Sequence, residues 1–130
     1  LLLGGYDPVI FHGVNLLSHV LNTCLVWVLA YRLSHRVSFA LIAALIFTAF
    51  PFSYEAVTWI TALFHPLVTT LLLMSFLLCL AYQRKARKWM LGGSLLLFWL
   101  ALATHENAFV LPLILAGREL VESLRHKQPI

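Results

Sequence analysis

The sequence predicts an all-α fold: a multi-pass transmembrane helical bundle of about four to five membrane helices with a short interfacial helix. Three observations predict it. First, 62% of the 130 residues are hydrophobic and 11% charged, with a mean hydropathy of +0.91, too little charge to solvate the surface of a water-soluble domain of this size. Second, the apolar residues gather in four long runs, without the period-two alternation of a barrel strand. Third, all nine Lys and Arg residues fall in three short segments, which alternate with connections that contain none.

Residues 13–31 form the first run, long enough to cross a bilayer, which takes roughly 17–25 residues. Residues 37–52 form a shorter run that meets Pro51 near its end. The third run, 56–82, is too long for one straight crossing and is broken by Pro66. Ser53 suits an N-cap with Glu55 in the first turn, so 56–64 reads as the interfacial helix, with Trp59 at headgroup depth. His65-Pro66 then restarts the chain as a true crossing, a proline being well placed in a first turn. The fourth run, 89–115, is split by Thr104-His105-Glu106-Asn107 into two short legs. Thr104 is expected to cap the new helix, with Glu106 in its first turn. Cys24 and Cys79 lie in different apolar runs and read as small hydrophobes.

The basic segments orient the bundle. RLSHR (32–36), QRKARK (83–88) and the tail with Arg118, Arg125 and Lys127 are expected on the cytoplasmic side. GGYDP, PFSYE and THEN are expected on the other, with Asp7, Glu55 and Glu106. Glu119 and Glu122 lie in the basic tail, where neighbouring Arg side chains pair them on a solvated helix face. The net charge of +4 is thus a topology signal with some attraction to anionic headgroups, and calls for no nucleic acid.

Polar residues inside the runs are the candidates for chemistry, because such groups face the bundle or a wet cavity rather than lipid. Asn15, His19 and Asn22 recur at helical spacing on the first run, Ser18 beside them. Interhelical hydrogen bonding is the favoured role for Asn22, while for Asn15 and His19 bonding and cavity lining stand level. Glu55 has Tyr54, Trp59 and His65 for company, with a plain capping acid as the bland reading. THEN reads as a hairpin turn or as a site. The legs of about 15 and about eight apolar residues reach only ~22 Å and ~12 Å. A hydrocarbon core of ~30 Å would hold Glu106 below the surface, where a carboxylate needs water or a partner. No Gly-rich phosphate loop, HExxH, paired CxxC or GxSxG is present. His12, His19, His65 and His105 are conceivable divalent-metal ligands, but only His105-Glu106 sets a histidine beside a carboxylate, and no metal site is assigned.

Three stretches carry a family likeness: FHGVNLLSHVLNTCLVWVLAYRL, AALIFTAFPFSYEAVTWITALFHPLVTTLLLMSFLLCLAY and LALATHENAFVLPLIL. They resemble the membrane half of GT-C glycosyltransferases, nearest the protein O-mannosyltransferase-like group with the transmembrane and tetratricopeptide-repeat mannosyltransferases and bacterial relatives. The matching positions are His12, Asn15 and His19, then Pro51, Glu55, Val57, Trp59 and Ile60, then Glu106 and Pro112, over residues 6–120. The group usually has Arg or Lys followed by Asp where Phe64-His65 stands here, and Lys where His105 stands.

The resemblance implies a multi-pass membrane enzyme that moves a sugar from a polyprenyl-phosphate donor to an acceptor protein or glycan at the non-cytoplasmic face. It points to a bacterial inner membrane ahead of the endoplasmic reticulum. On this reading Glu55 and Glu106 are the catalytic or orienting carboxylates, and Asn15, His19, His65 and His105 contact substrate. No cofactor is assigned; membrane lipids and the lipid-linked sugar are the partners, nucleic acid is not. The group's principal catalytic Asp belongs to a loop expected upstream of Leu1, so 1–130 is expected to be a partial transmembrane domain of a larger protein. The competing readings are a secondary transporter using Glu106, Glu55 and His19, and a purely structural membrane module.

Overall fold

A computed structural model describes residues 8–50 and 64–126, and all regular structure within them is helical. The helices are α1 (Pro8–Ser34), α2 (Val37–Ala49), α3 (Phe64–Lys85), α4 (Lys88–Thr104) and α5 (Val110–His126). A 3₁₀ turn, Glu106–Phe109, joins α4 to α5. The interfacial helix expected over 56–64 lies outside the described residues except for Phe64, which opens α3.

Two helical hairpins, α1–α2 and α3–α4, share one turn design. His35 and Ala86 adopt left-handed backbone, with φ of 55° and 49°. Their N–H groups donate to the carbonyls of Tyr31 (2.8 Å) and Tyr82 (2.7 Å), which closes each helix with a left-handed cap. Arg36 and Arg87 follow in extended conformation and start the return helix. The Ser34 hydroxyl supports the first turn by donating to Ala30 O (2.7 Å) and accepting from Arg36 N (3.2 Å). At the far end of α2, Phe50 is extended (φ −66°, ψ 124°), as a residue before proline must tend to be. Pro8 and Pro66 both sit in first turns, where a missing N–H costs no helix bond.

The hairpins pack through α1 and α3, giving the neighbour order α2, α1, α3, α4. Small and hydroxyl residues make the close contacts. Ala30, Ala40 and Ala44 are buried between α1 and α2, where Thr23 and Thr48 share a 3.3 Å hydrogen bond. Between α3 and α4, Ser75 and Ser94 each donate to the other's carbonyl at 2.8 Å. A Cβ at Gly93 would stand 3.2 Å from Leu78 Cδ1, so the backbone approaches closely there. Between α1 and α3, Asn22 Nδ2 donates to Pro66 O (2.9 Å) while its Oδ1 accepts from Thr70 (2.7 Å). α5 lies along α3: Leu111 and Leu115 pack with Phe76, Leu80 and Leu72, with Leu29 and Phe98 beside them.

The burial pattern is inverted relative to a water-soluble protein. The largest fully buried side chains are Asn15, Asn22 and Ser75, whereas Leu17 is 71% exposed, Trp99 68% and Leu113 72%. Apolar surface this extensive is costly in water and favourable in lipid. Two helical segments, His12–Ser34 and His65–Lys85, are long and apolar enough to cross a membrane. α2, with 13 residues, and α4, with 17, are apolar but shorter. Both cysteines are free thiols.

One local expectation is corrected. Thr104 does not cap the next helix: its hydroxyl donates back to Leu100 O at 2.8 Å, which keeps it as the last residue of α4. His105 is the cap instead, in extended backbone, with Nδ1 accepting from Asn107 N at 3.2 Å. α5 continues to His126, so the basic and acidic tail is helical, as expected for Glu119 on a solvated helix face. Leu111 and Leu115 of its first half pack on α3, whereas Leu120, Val121 and Leu124 stay exposed.

Candidate functional site

The described turns segregate by end. At one end lie both hairpin turns and the second half of α5: Arg84 Nη2 donates to Arg32 O (3.0 Å) and to His35 Nε2 (3.2 Å), and Arg118 donates to Gln83 Oε1. At the opposite end, the start of α3 meets the α4–α5 turn. There the His65 and His105 rings approach with centroids 5.2 Å apart and planes tilted by 49°.

Those two rings open onto a cavity of about 480 Å³ that Glu106 and Asn107 also line. Its apolar walls come from Val68 and Leu72 of α3, from Phe109 at the end of the turn, and from Val110 and Leu113 of α5. His65 is placed by its position in the first turn of α3, one residue before Pro66. Thr69 holds its hydroxyl on His65 O (2.9 Å), so that hydroxyl serves the helix as well as the wall. The turn is fixed from beneath by Ala108, which is fully buried.

The cap bond at His105 has a chemical consequence. An Nδ1 that accepts from a backbone N–H carries no proton, so the ring's proton is on Nε2. His105 therefore keeps a ring donor in addition to the nitrogen used for capping. Glu106 is exposed and makes no hydrogen bond or ion pair among the described residues, so its carboxylate is open to whatever enters.

Of the six residues expected to form a site, His65, His105 and Glu106 come together. Glu55 lies outside the described residues, as do Tyr54 and Trp59. Asn15 is fully buried in the interior of α1, and neither it nor His19 lines this cavity. His19 turns toward α2 and stacks on Phe47, with centroids 5.4 Å apart and planes within 18°. Asn22 acts as the interhelical bond donor and acceptor that its depth in the run suggested. Among the described residues no three His, Cys, Asp or Glu side chains are grouped to hold a metal.

Thr69, Leu72, Phe109 and Leu113 line the cavity and were not picked out from the sequence. A signal existed for the first two: they follow His65 at i+4 and i+7, so they share its helix face. Phe109 and Leu113 depend on where the turn ends, which hydropathy does not report.

Comparison of the chain with protein-family models, with curated proteins and with solved structures gives no match in any of the three.

Proposed function

We propose that the chain is a multi-pass membrane bundle of the GT-C glycosyltransferase type, and that the cavity of His65, His105 and Glu106 receives a polyprenyl-phosphate sugar. The observation that carries this reading is the gathering of two imidazoles and a carboxylate around one open, largely apolar cavity. That cavity lies at the end opposite the hairpin turns and their cations. The inverted burial pattern supports the membrane environment. By the charge rule the cationic end faces the cytoplasm, and the cavity the other side.

In this proposal each residue has a definite task. A polyprenyl chain partitions into the bilayer and holds its phosphate at interface depth, against the α4–α5 turn. His105 Nε2–H and the His65 ring donate to phosphate oxygens, charge-assisted bonds being the stronger kind. Glu106 accepts a hydrogen bond from the acceptor hydroxyl and orients it toward the sugar. Transfer forms the new sugar–oxygen bond as the sugar–phosphate bond breaks, and polyprenyl phosphate leaves with the bonding pair. The proton of the acceptor passes to a general base. Glu55 is proposed as a second orienting carboxylate.

Donor binding tests the reading without needing the base. Protein in lipid nanodiscs is expected to retain a radiolabelled polyprenyl-phosphate sugar and to release it to unlabelled polyprenyl phosphate. His105→Ala is expected to weaken retention about tenfold, one charge-assisted bond being worth about 1.5 kcal/mol or more. Equal retention by wild type, His105→Ala and His65→Ala would reject the site. Specific uptake of a water-soluble solute with no lipid-linked sugar bound would favour the transporter.

A further inference from the structure

A second cavity, about 720 Å³, lies at the cationic end, between the two hairpins. Its lining divides into two zones. Trp27, Val28, Leu77, Leu78 and Ala81 form a half-buried apolar wall along α1 and α3. Above them stand the exposed cations Arg32, Arg84 and Lys85, with His35 between. The Trp27 and Tyr31 rings stack 5.7 Å apart and within 5° of parallel, giving one side of the groove a flat aromatic face.

The cations are unequal. Arg84 is committed in part, since it closes α1 through Arg32 O and bonds His35. The Arg32 guanidinium and the Lys85 ammonium have no hydrogen-bond or ion-pair partner among the described residues. The nearest acid described at this end, Glu119, bonds Gln83 (2.8 Å) and lies 3.6 Å from Arg118, in a neighbouring cavity that Arg32, His35 and Arg84 also border. The groove therefore sets the Arg32 guanidinium and the Lys85 ammonium, neither in an ion pair among the described residues, beside an apolar wall.

From this geometry we infer that the groove between the hairpins is a binding site for an anionic glycerophospholipid. Its phosphate sits between Arg32, Arg84 and Lys85, and one acyl chain runs down the wall of Trp27, Val28 and Leu78. Charge complementarity selects the headgroup, and the apolar wall excludes a free anion as the preferred occupant. The aromatic face sits at the depth where tryptophan and tyrosine meet glycerol and carbonyl groups. The inference rests on the membrane reading and is independent of the transferase reading.

Thermal unfolding of detergent-purified protein is the test, with phosphatidylglycerol, phosphatidylcholine or inorganic phosphate added in separate arms. Phosphatidylglycerol is expected to raise the midpoint, and the other two to leave it unchanged. Lys85→Gln is expected to weaken the apparent phosphatidylglycerol affinity about fivefold. Lys85 holds no neighbour in place, so this variant folds normally. The double variant Arg87→Gln/Lys88→Gln removes two cations from the same end but outside the groove, and is expected to change the affinity less than twofold. Equal stabilisation by phosphatidylcholine or phosphate would overturn the site, as would an equal loss in the control. Alkaline carbonate separates the two levels: protein washed off membranes defeats the membrane reading itself, whereas protein retained but without lipid selectivity defeats this site alone.

Discussion

The two ends of the bundle use polar groups differently. At the cationic end, the groups that shape the turns meet protein partners: His35 and Ala86 N–H groups close their own helices, Arg84 caps α1, and Gln83 bridges Arg118 and Glu119, while the Arg32 guanidinium and Lys85 ammonium are left to the groove. At the other end the polar atoms are held in place but left to a cavity. His105 spends one nitrogen on the cap, and the Glu106 carboxylate spends nothing among the described residues. Polar groups whose bonds are used internally specify a fold, whereas groups positioned and left open are what a ligand uses. The comparison thus separates architecture from chemistry within a single chain.

The sharpest way to break that distinction is Glu106→Gln. The change keeps size and removes charge, and on the proposed function transfer by the full-length protein is expected to fall on the order of 10²-fold, as misorientation of a reacting group does. Unfolding midpoint and abundance are expected to stay at wild-type values, checked by scanning fluorimetry beside a labelled-sugar transfer assay in membranes. A loss of stability matching the loss of activity would make Glu106 architectural after all.

Ser94→Leu attacks the architecture directly. It removes the reciprocal bond with Ser75 and forces volume into a buried helix contact, so stability is expected to fall by about 2–3 kcal/mol. Asn22→Ala is milder, since two interhelical bonds are lost without overpacking. A cost of about 1–2 kcal/mol is expected in a detergent unfolding series. Ala86→Gly should go the other way. The left-handed φ of 49° suits glycine, and a gain of about 0.5–1 kcal/mol is expected with donor binding unchanged.

Hydropathy alone made most of the helices legible. The runs at 13–31 and 37–52 correspond to α1 and α2, and the crossing expected from His65-Pro66 onward corresponds to α3. Hydropathy reports what tolerates lipid, not where backbone bonds stop. That is why α1 extends past the apolar run to Ser34, and why α5 continues through Arg118 and Glu119 to His126. The His105 cap was missed because threonine is the ordinary capping residue and an imidazole is not. Thr104 had a rival acceptor one turn back, at Leu100 O, and took it. The site was legible in part for a similar reason. His65, His105 and Glu106 stood out as ionisable groups in apolar surroundings, but their meeting depends on how α3 and α4 pair. Asn15 and His19 share a helix with Asn22, yet small angular offsets send His19 toward Phe47 on α2. Spacing alone does not decide which neighbour a residue meets.

The most direct test of the central claim, a membrane bundle with its chemistry at the end opposite its cations, is accessibility from the two sides. Single cysteines at Asn107 and Arg87, both exposed, are placed in a background where Cys24 and Cys79 are replaced. Sealed cells are treated with an impermeant maleimide before and after permeabilisation. Asn107→Cys is expected to react in sealed cells, and Arg87→Cys only once the membrane is opened. Labelling of both positions from the same side would contradict the account, because the two ends would then share one compartment.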